Sequence, residues 1–453
     1  MPPKFGTSGL RGLVVDLTPD LVGAHVAAFA ATCPTGQGLY VARDLRPSSP
    51  DIADAVIAAG RAAGLAVTDC GAVPTPALAL AAMGAGAAAV MVTGSHIPAD
   101  RNGLKFYTPQ GEITKVHEAA ILAALEAPAK TVLPGPAPGR DDLAGTAYVR
   151  RYIAAFGAQA LSGMTVGVYS HSSVGRDLLI DVLTGVGASV VELGRSETFV
   201  PVDTEAVDVA TRAQLRSWAA EQNLAAILSM DGDGDRPLLT DARGEVIPGD
   251  VLGQITGEYL GVQIAVTPVS SNTGAEAVFP QVRRTRIGSP YVIAEMETAG
   301  GQVVGYEANG GFLLGFAAKG LAPLMTRDSV LPLLVTLICA QGRGVAATVG
   351  AQPARFTASD RLQDVPTTAS QALIRRLETD LDALQDFLTG VSGQVAGIDK
   401  TDGLRITLTD GRIVHLRPSG NAPECRFYAE ADSAAASQQT LAAGLTALRA
   451  ALS

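Results

Sequence analysis

Strand and helix alternate through most of this 453-residue chain, and the pattern changes only near its end. That predicts an α/β protein of three similar α/β units followed by a smaller α+β unit. Two further observations support this class. The chain is 47% hydrophobic and 17% charged, a globular composition with ample core. Two stretches read as linkers: residues 130–145, rich in Pro and Gly, and residues 355–366. The expected domains are 1–147, 148–251, 252–362 and 363–453.

The elements follow in order. QGLYVARD (37–44) reads as a strand, and Ser49-Pro50 supply a cap and a first-turn proline for the helix DIADAVIAAGRAAG. LAVTDCG is the next strand. Residues 70–95 carry no charge, but Pro74, Pro76 and several glycines interrupt them. They read as a turn, a buried helix and the buried strand Ala88 to Val92, not as a membrane span. VHEAAILAALEA (116–127) is helical. In the second unit, MTVGVYSHSSVGRDLLIDVLTGVGA (164–188) reads as strand, loop and helix, and AAILSM runs into DGDGDR. The third unit holds the strand IAVTPVSS, the helix SPYVIAEMETAG, and the strand VVGY running into a Gly-rich loop. The last unit carries a hairpin, GLRITLTDGRIVHLRPSG (403–420), turning at Thr409-Asp410-Gly411, and ends in the helix QQTLAAGLTALRAAL.

Charge narrows the function. The net charge of −10 argues against nucleic acid or an anionic membrane surface as a partner, so phosphate chemistry must use local basic residues. Cys33, Cys70, Cys339 and Cys425 show no metal or disulfide spacing and read as buried thiols of a reducing cytoplasm. The segment MPPKFGTSGLRG has no apolar core and is not a secretory signal.

Four loops at expected strand ends, where open α/β sheets place ligands, carry candidate chemistry. In TGSHIPADRNGLK (93–105), Ser95 follows a glycine directly after a strand, His96 is beside it, and Lys105 lies further on; a helix cap is the bland reading of Ser95. In DGDGDR, Asp231, Asp233 and Asp235 alternate with Gly232 and Gly234. Three carboxylates this close repel one another unless a cation sits among them, and oxygen-only ligands favour Mg²⁺ over zinc. An EF-hand loop would need a glutamate where this chain has Ala242. In GYEANGGF (305–312), Glu307 and Asn309 offer acceptors and donors suited to vicinal sugar hydroxyls. In RPSGNAPECR (417–426), Arg417, Ser419, Asn421 and the amide of Gly420 are suited to surround one phosphate.

These four loops, in this order and spread over the whole chain, resemble the α-D-phosphohexomutase superfamily. The resemblance implies its four-domain architecture with a central active-site cleft and its reaction, the interconversion of hexose 1-phosphate and hexose 6-phosphate through a phosphoserine and a hexose 1,6-bisphosphate. It makes Ser95 the phosphoserine position and Asp231, Asp233 and Asp235 the Mg²⁺ ligands, with the Ser95 phosphate completing the coordination. Arg236 flanks the metal loop, Arg11 of FGTSGLRG matches the N-terminal active-site arginine, and Lys105 matches the lysine ten residues after the serine. Lys105 and His96 both remain candidates for moving the proton. Mannose phosphate is the expected substrate, with glucose or glucosamine phosphate as alternatives. A metal-dependent sugar phosphatase is the rival of a different class. The expected protein is cytoplasmic, monomeric or homodimeric. It departs from the family pattern at Ile97, Pro290, Asn421 and Ala422, and at Gly311, where some members carry histidine.

Overall fold

The computed structural model describes residues 3–6, 8–126, 133–419 and 423–452. Among the described residues, four sheets run along the chain. In the first, the strand Ala88–Val92 is buried at every position, so it must be covered on both faces, as parallel α/β strands are. It pairs in parallel with Leu39–Arg43 and antiparallel with Arg101–Thr108. The sequence reading had not anticipated this second neighbour. Its register sets Lys105 opposite Met91, and the next strand, Leu10–Leu13, sets Arg11 opposite Gly103. Two cations distant in sequence are thereby carried to the end of the strand that leads to Ser95.

The second sheet orders Ser189–Leu193, Thr165–Tyr169 and Ile227–Met230 in parallel. Ile227–Met230 runs into the acidic loop and returns through Pro237–Leu239, its antiparallel neighbour. The third sheet orders Gln281–Thr285, Ile264–Pro268 and Val303–Tyr306 in parallel, then adds Phe312–Leu314 and Leu324–Asp328 antiparallel. One continuous apolar core joins these two units, whereas the first and last units each have a core of their own. The last sheet is antiparallel throughout and packs against the helices Thr367–Thr379, Leu381–Thr389 and Ala434–Leu452.

Several expectations are corrected. Residues 355–366 are not a linker: Phe356–Gln363 is a strand that pairs along its full length with Glu424–Ala431. The last unit therefore takes in residues assigned above to the third. The helices Ala144–Phe156 and Gly249–Leu260 begin ahead of the boundaries expected at 148 and 252. Ser49 does not cap its helix. Its hydroxyl donates to Asp44 Oδ1 at 2.5 Å, because a buried carboxylate at the adjacent strand end demands partners. No helix among the described residues is long and apolar enough to cross a membrane.

Candidate active site

Ser95 lies just beyond the Ala88–Val92 strand, fully buried, with φ of 55°. A serine in the left-handed region is uncommon and persists only where its surroundings over-determine it. Here they do. Its backbone N–H donates to Thr93 Oγ1 at 2.7 Å, and its carbonyl accepts from Arg46 Nη2 at 2.8 Å. Arg46, itself only 1% exposed, also donates to the carbonyls of Ile97, Pro98 and Arg101 and to Asp44 Oδ2. The Phe199 ring covers its guanidinium at 4.0 Å. One arginine thus wraps the serine loop, and the sequence reading missed it. The available signal was an Asp44/Arg46 pair at the end of a strand adjoining the serine strand.

The serine hydroxyl donates to Asp231 Oδ2 at 2.6 Å, so the first and second units meet at this bond. Gly232 permits the approach, since a Cβ there would fall 2.6 Å from the Ser95 carbonyl oxygen. Asp231, Asp233 and Asp235 are all fully buried, with ligand oxygens within 4.8 Å of one another. Lys105 Nζ bridges Asp233 Oδ2 at 2.5 Å and Asp235 Oδ2 at 2.6 Å. Oδ1 of Asp233 and of Asp235 is buried without a hydrogen-bond partner. Burial, with the neighbouring charges of Asp233 and Asp235, pushes the Asp231 carboxyl above the usual carboxylate range. Burial opposes ionisation of Asp233 too, but Lys105 and Thr75 outweigh it and hold that group below the usual carboxylate range. Compressed anionic oxygens with unshared lone pairs fit a hard divalent cation.

The acidic loop is held from three sides. Thr75 of the first unit donates to Asp233 through its N–H at 2.9 Å and its hydroxyl at 2.5 Å. Ser173 donates to the Asp231 carbonyl at 2.8 Å, and Ser329 of the third unit donates to the Gly234 carbonyl at 2.7 Å. None of these supports was singled out from the sequence.

A cleft of about 430 Å³ adjoins these buried groups through His96 and Arg327, which touch Ser95 and Asp235. It is lined by Arg11, His96, Arg236, Glu307, Asn309 and Arg417 among the expected residues, and by Arg327, Arg361, Arg426 and Tyr428 among those not expected. These guanidinium groups outnumber the carboxylates of Asp203, Glu205, Glu307 and Asp360 on the same wall, so the cleft is locally cationic in a chain of net charge −10. Burial and the cations Arg236 and Arg327 pull Arg11 down to about 10, which still leaves it charged at neutral pH. Burial, then Arg236, Arg11 and Lys105, hold His96 far below the usual imidazole range. His96 is therefore neutral, and its Nδ1 lies 2.9 Å from Arg236 Nη1 and 3.3 Å from Ser95 Oγ.

In the third loop, Asn309 Oδ1 accepts from the Gly311 N–H at 3.0 Å, and the Asn309 carbonyl accepts from Thr204 of the second unit. In the fourth, Arg417 Nε donates to Asp402 Oδ2 at 2.8 Å, and the same oxygen accepts from the Ile287 N–H of the third unit. Ser419 is not brought into the cleft; it borders a neighbouring pocket with Arg286, Arg375 and Lys400. Gly420 and Asn421 lie outside the described residues.

The arrangement is that of an α/β protein with a buried acidic triad suited to a metal ion beside a cleft walled largely by arginines. Comparison with known proteins is specific. The family model described as phosphoglucomutase/phosphomannomutase, alpha/beta/alpha domain I, matches residues 2–131, and the one for the C-terminal domain of the same family matches residues 364–444. A phosphomannomutase of Sinorhizobium fredii is 45% identical over 99% of both chains. One of Salmonella muenchen is 42% identical over 95% of this chain and 92% of its own. The crystal structure of a phosphoglucomutase/phosphomannomutase family protein from Burkholderia thailandensis, 22% identical, shares the fold with a TM-score of 0.80 over 98% of this chain and 97% of its own. The chain belongs to the phosphoglucomutase/phosphomannomutase family of the α-D-phosphohexomutase superfamily, and so to the intramolecular phosphotransferases.

Proposed function

We propose that this chain interconverts mannose 1-phosphate and mannose 6-phosphate through a phosphoserine at Ser95 and a hexose 1,6-bisphosphate. The observation that carries the reading is the Ser95 Oγ–Asp231 Oδ2 contact at 2.6 Å, which joins the candidate phosphoryl carrier to the cation loop. The choice of mannose follows the names of the two relatives above 40% identity. Glucose and glucosamine phosphates are the alternatives, since no residue in the cleft visibly reads the configuration at C2.

In this reading Asp231, Asp233 and Asp235 hold Mg²⁺, which when bound offsets the charge of the transferring phosphoryl group. The phosphoryl group passes from Ser95 to the free hydroxyl oxygen of the sugar, and the hydroxyl proton leaves with a base. Lys105 and His96 are the two candidates for that base: Lys105 Nζ donates to Asp233 and Asp235, and His96 Nδ1 is engaged by Arg236, so either must give up a present partner to take the proton. Arg11 and Arg236 flank the transferring group from the cleft wall. Glu307 and Asn309 hold the ring hydroxyls, and Arg417 grips the distal phosphate from the cleft wall. The bisphosphate turns around between the two transfers, so both ends must meet cationic walls, as the arginine-lined cleft provides. Four units are proposed, one per sheet, with the last beginning ahead of Phe356.

A coupled assay across mannose, glucose and glucosamine 1-phosphates, with intact mass measured on wild type and Ser95→Ala, tests the reading. The expected result is turnover fastest on mannose 1-phosphate and a phosphate adduct that Ser95→Ala lacks. Turnover by Ser95→Ala near the wild-type rate would sink it. Inorganic phosphate as the main product would favour a phosphatase instead.

A further inference from the structure

Arg327, at 2% exposure, is among the most buried charges of the chain, yet its guanidinium forms part of the cleft wall. It stands on the strand Leu324–Asp328 of the third sheet. Nη2 lies 2.8 Å from Asp235 Oδ2 of the cation loop and 3.5 Å from Ser8 Oγ of the first unit. Nη1 lies 3.5 Å from Glu307 Oε1 of the third loop. Arg327 Nε and Glu307 Oε1 are both buried without a hydrogen-bond partner. One side chain therefore touches two loops with different expected tasks, and its Nε donor is unused.

Gly311 makes room for this arrangement. A Cβ there would sit 2.6 Å from Arg327 Cδ and 2.8 Å from Cγ. The stem of Arg327 lies across the backbone of the loop at the position where some family members carry a histidine. The empty glycine and the arginine that fills its space form one feature, supplied by a loop and a strand.

A buried ion pair that only braces two sheets is the plain alternative. Two observations weigh against it. Asp235 Oδ2 already has a cation, Lys105, at 2.6 Å, so its neutralisation does not require a second. A brace also has no need to reach the cleft wall between the two loops. We propose that Arg327 is a positioning residue that sets the Glu307 carboxylate against the sugar and ties that placement to the cation loop through Asp235. This rests on the mutase reading of the cleft.

The tie has a signature with two opposite signs. Removing the guanidinium takes a positive charge from beside a metal-loop carboxylate, so Mg²⁺ binds more tightly. The same removal frees Glu307, so the sugar phosphate binds more weakly. A brace would weaken both together, with a loss of thermal stability.

The test uses the full-length chain with Arg327→Met, Arg327→Lys and Gly311→Ala. Mg²⁺ is titrated calorimetrically without sugar, and KM and kcat are measured on mannose 1-phosphate. Arg327→Met is expected to lower the Mg²⁺ Kd by about threefold or more and to raise KM by roughly tenfold or more, the value of a charge-assisted contact. Arg327→Lys and Gly311→Ala, which keep the charge and lose the aim, are expected to raise KM while Mg²⁺ affinity stays near wild type. Arg327→Met with unchanged KM and Kd, or with both weakened alongside a lowered melting temperature, overturns the proposal. Should Arg327→Met fail to fold, wild-type KM in both other variants overturns it. A wild-type enzyme without mutase turnover would refute the functional reading instead, and the Mg²⁺ titration would still test the tie to Asp235.

Discussion

Arg46→Met is the substitution whose outcome the structure defines most sharply. Methionine keeps most of the stem and removes the fork. Five contacts go with it: Nε to Asp44 Oδ2 at 3.1 Å, Nη1 to the carbonyls of Pro98 and Arg101, and Nη2 to those of Ser95 and Ile97. Asp44, 2% exposed, then keeps only its neutral donors Ser49 and Thr93 and the backbone N–H of residue 46. Breaking a buried ion pair by removing one partner costs about 3–5 kcal/mol. The four carbonyls have nearby water only if the loop opens, which adds to the loss rather than offsetting it. For a unit of some 150 residues that amounts to a melting point lower by roughly 10 °C. Calorimetry on wild type, Arg46→Met, Asp44→Asn and the double variant measures it. The double variant should recover part of the loss, since no uncompensated carboxylate remains. Ser95 phosphorylation, followed by intact mass, should slow in Arg46→Met because the positive φ of Ser95 is no longer enforced. A melting point within about 2 °C of wild type, or zero coupling between the two positions, would refute the claim that Arg46 holds the serine loop.

Arg417→Ala should raise KM for the sugar phosphate by roughly tenfold or more with a smaller effect on kcat, because a charged anchor is lost; an unchanged KM in steady-state kinetics would reassign the fourth loop. Thr75→Val removes a donor to Asp233 Oδ2 and should weaken Mg²⁺ binding by several-fold, read by calorimetry without substrate. His415 is held in its neutral form by burial, which pushes it down to about 4, partly opposed by the hydrogen bond to the Asp402 carbonyl. A depressed imidazole stabilises the fold fully above the unfolded value near 6.5, and that contribution is lost as pH falls from there toward 4. The loss reaches about 3 kcal/mol, so thermal melts should show wild type falling more steeply than His415→Asn between pH 6.5 and pH 4; parallel profiles would refute it.

What could be read from the sequence was what lies close together along it. The alternating aspartates and the serine after a buried strand announce themselves because local spacing creates their chemistry. Arg46 and Ser95 are 49 residues apart, and Ser329 and Gly234 are 95 apart, so nothing in either neighbourhood marks them as partners. Phe356–Gln363 was misread for a different reason. It is an edge strand with a single buried residue, Ala358, so its backbone pairing leaves no hydrophobic period to detect. Arg327 had no local mark either: it and Gly311 are apart in the sequence and meet only in the fold.

The three-sided grip on the acidic loop also orders events during synthesis. Thr75, Ser173 and Ser329 become available one after another as the chain leaves the ribosome, and the last arrives long after the aspartates themselves. The cation loop thus attains its final shape only when about three-quarters of the chain has emerged, by position in the sequence. Its full set of supports is present only once three of the four units have docked.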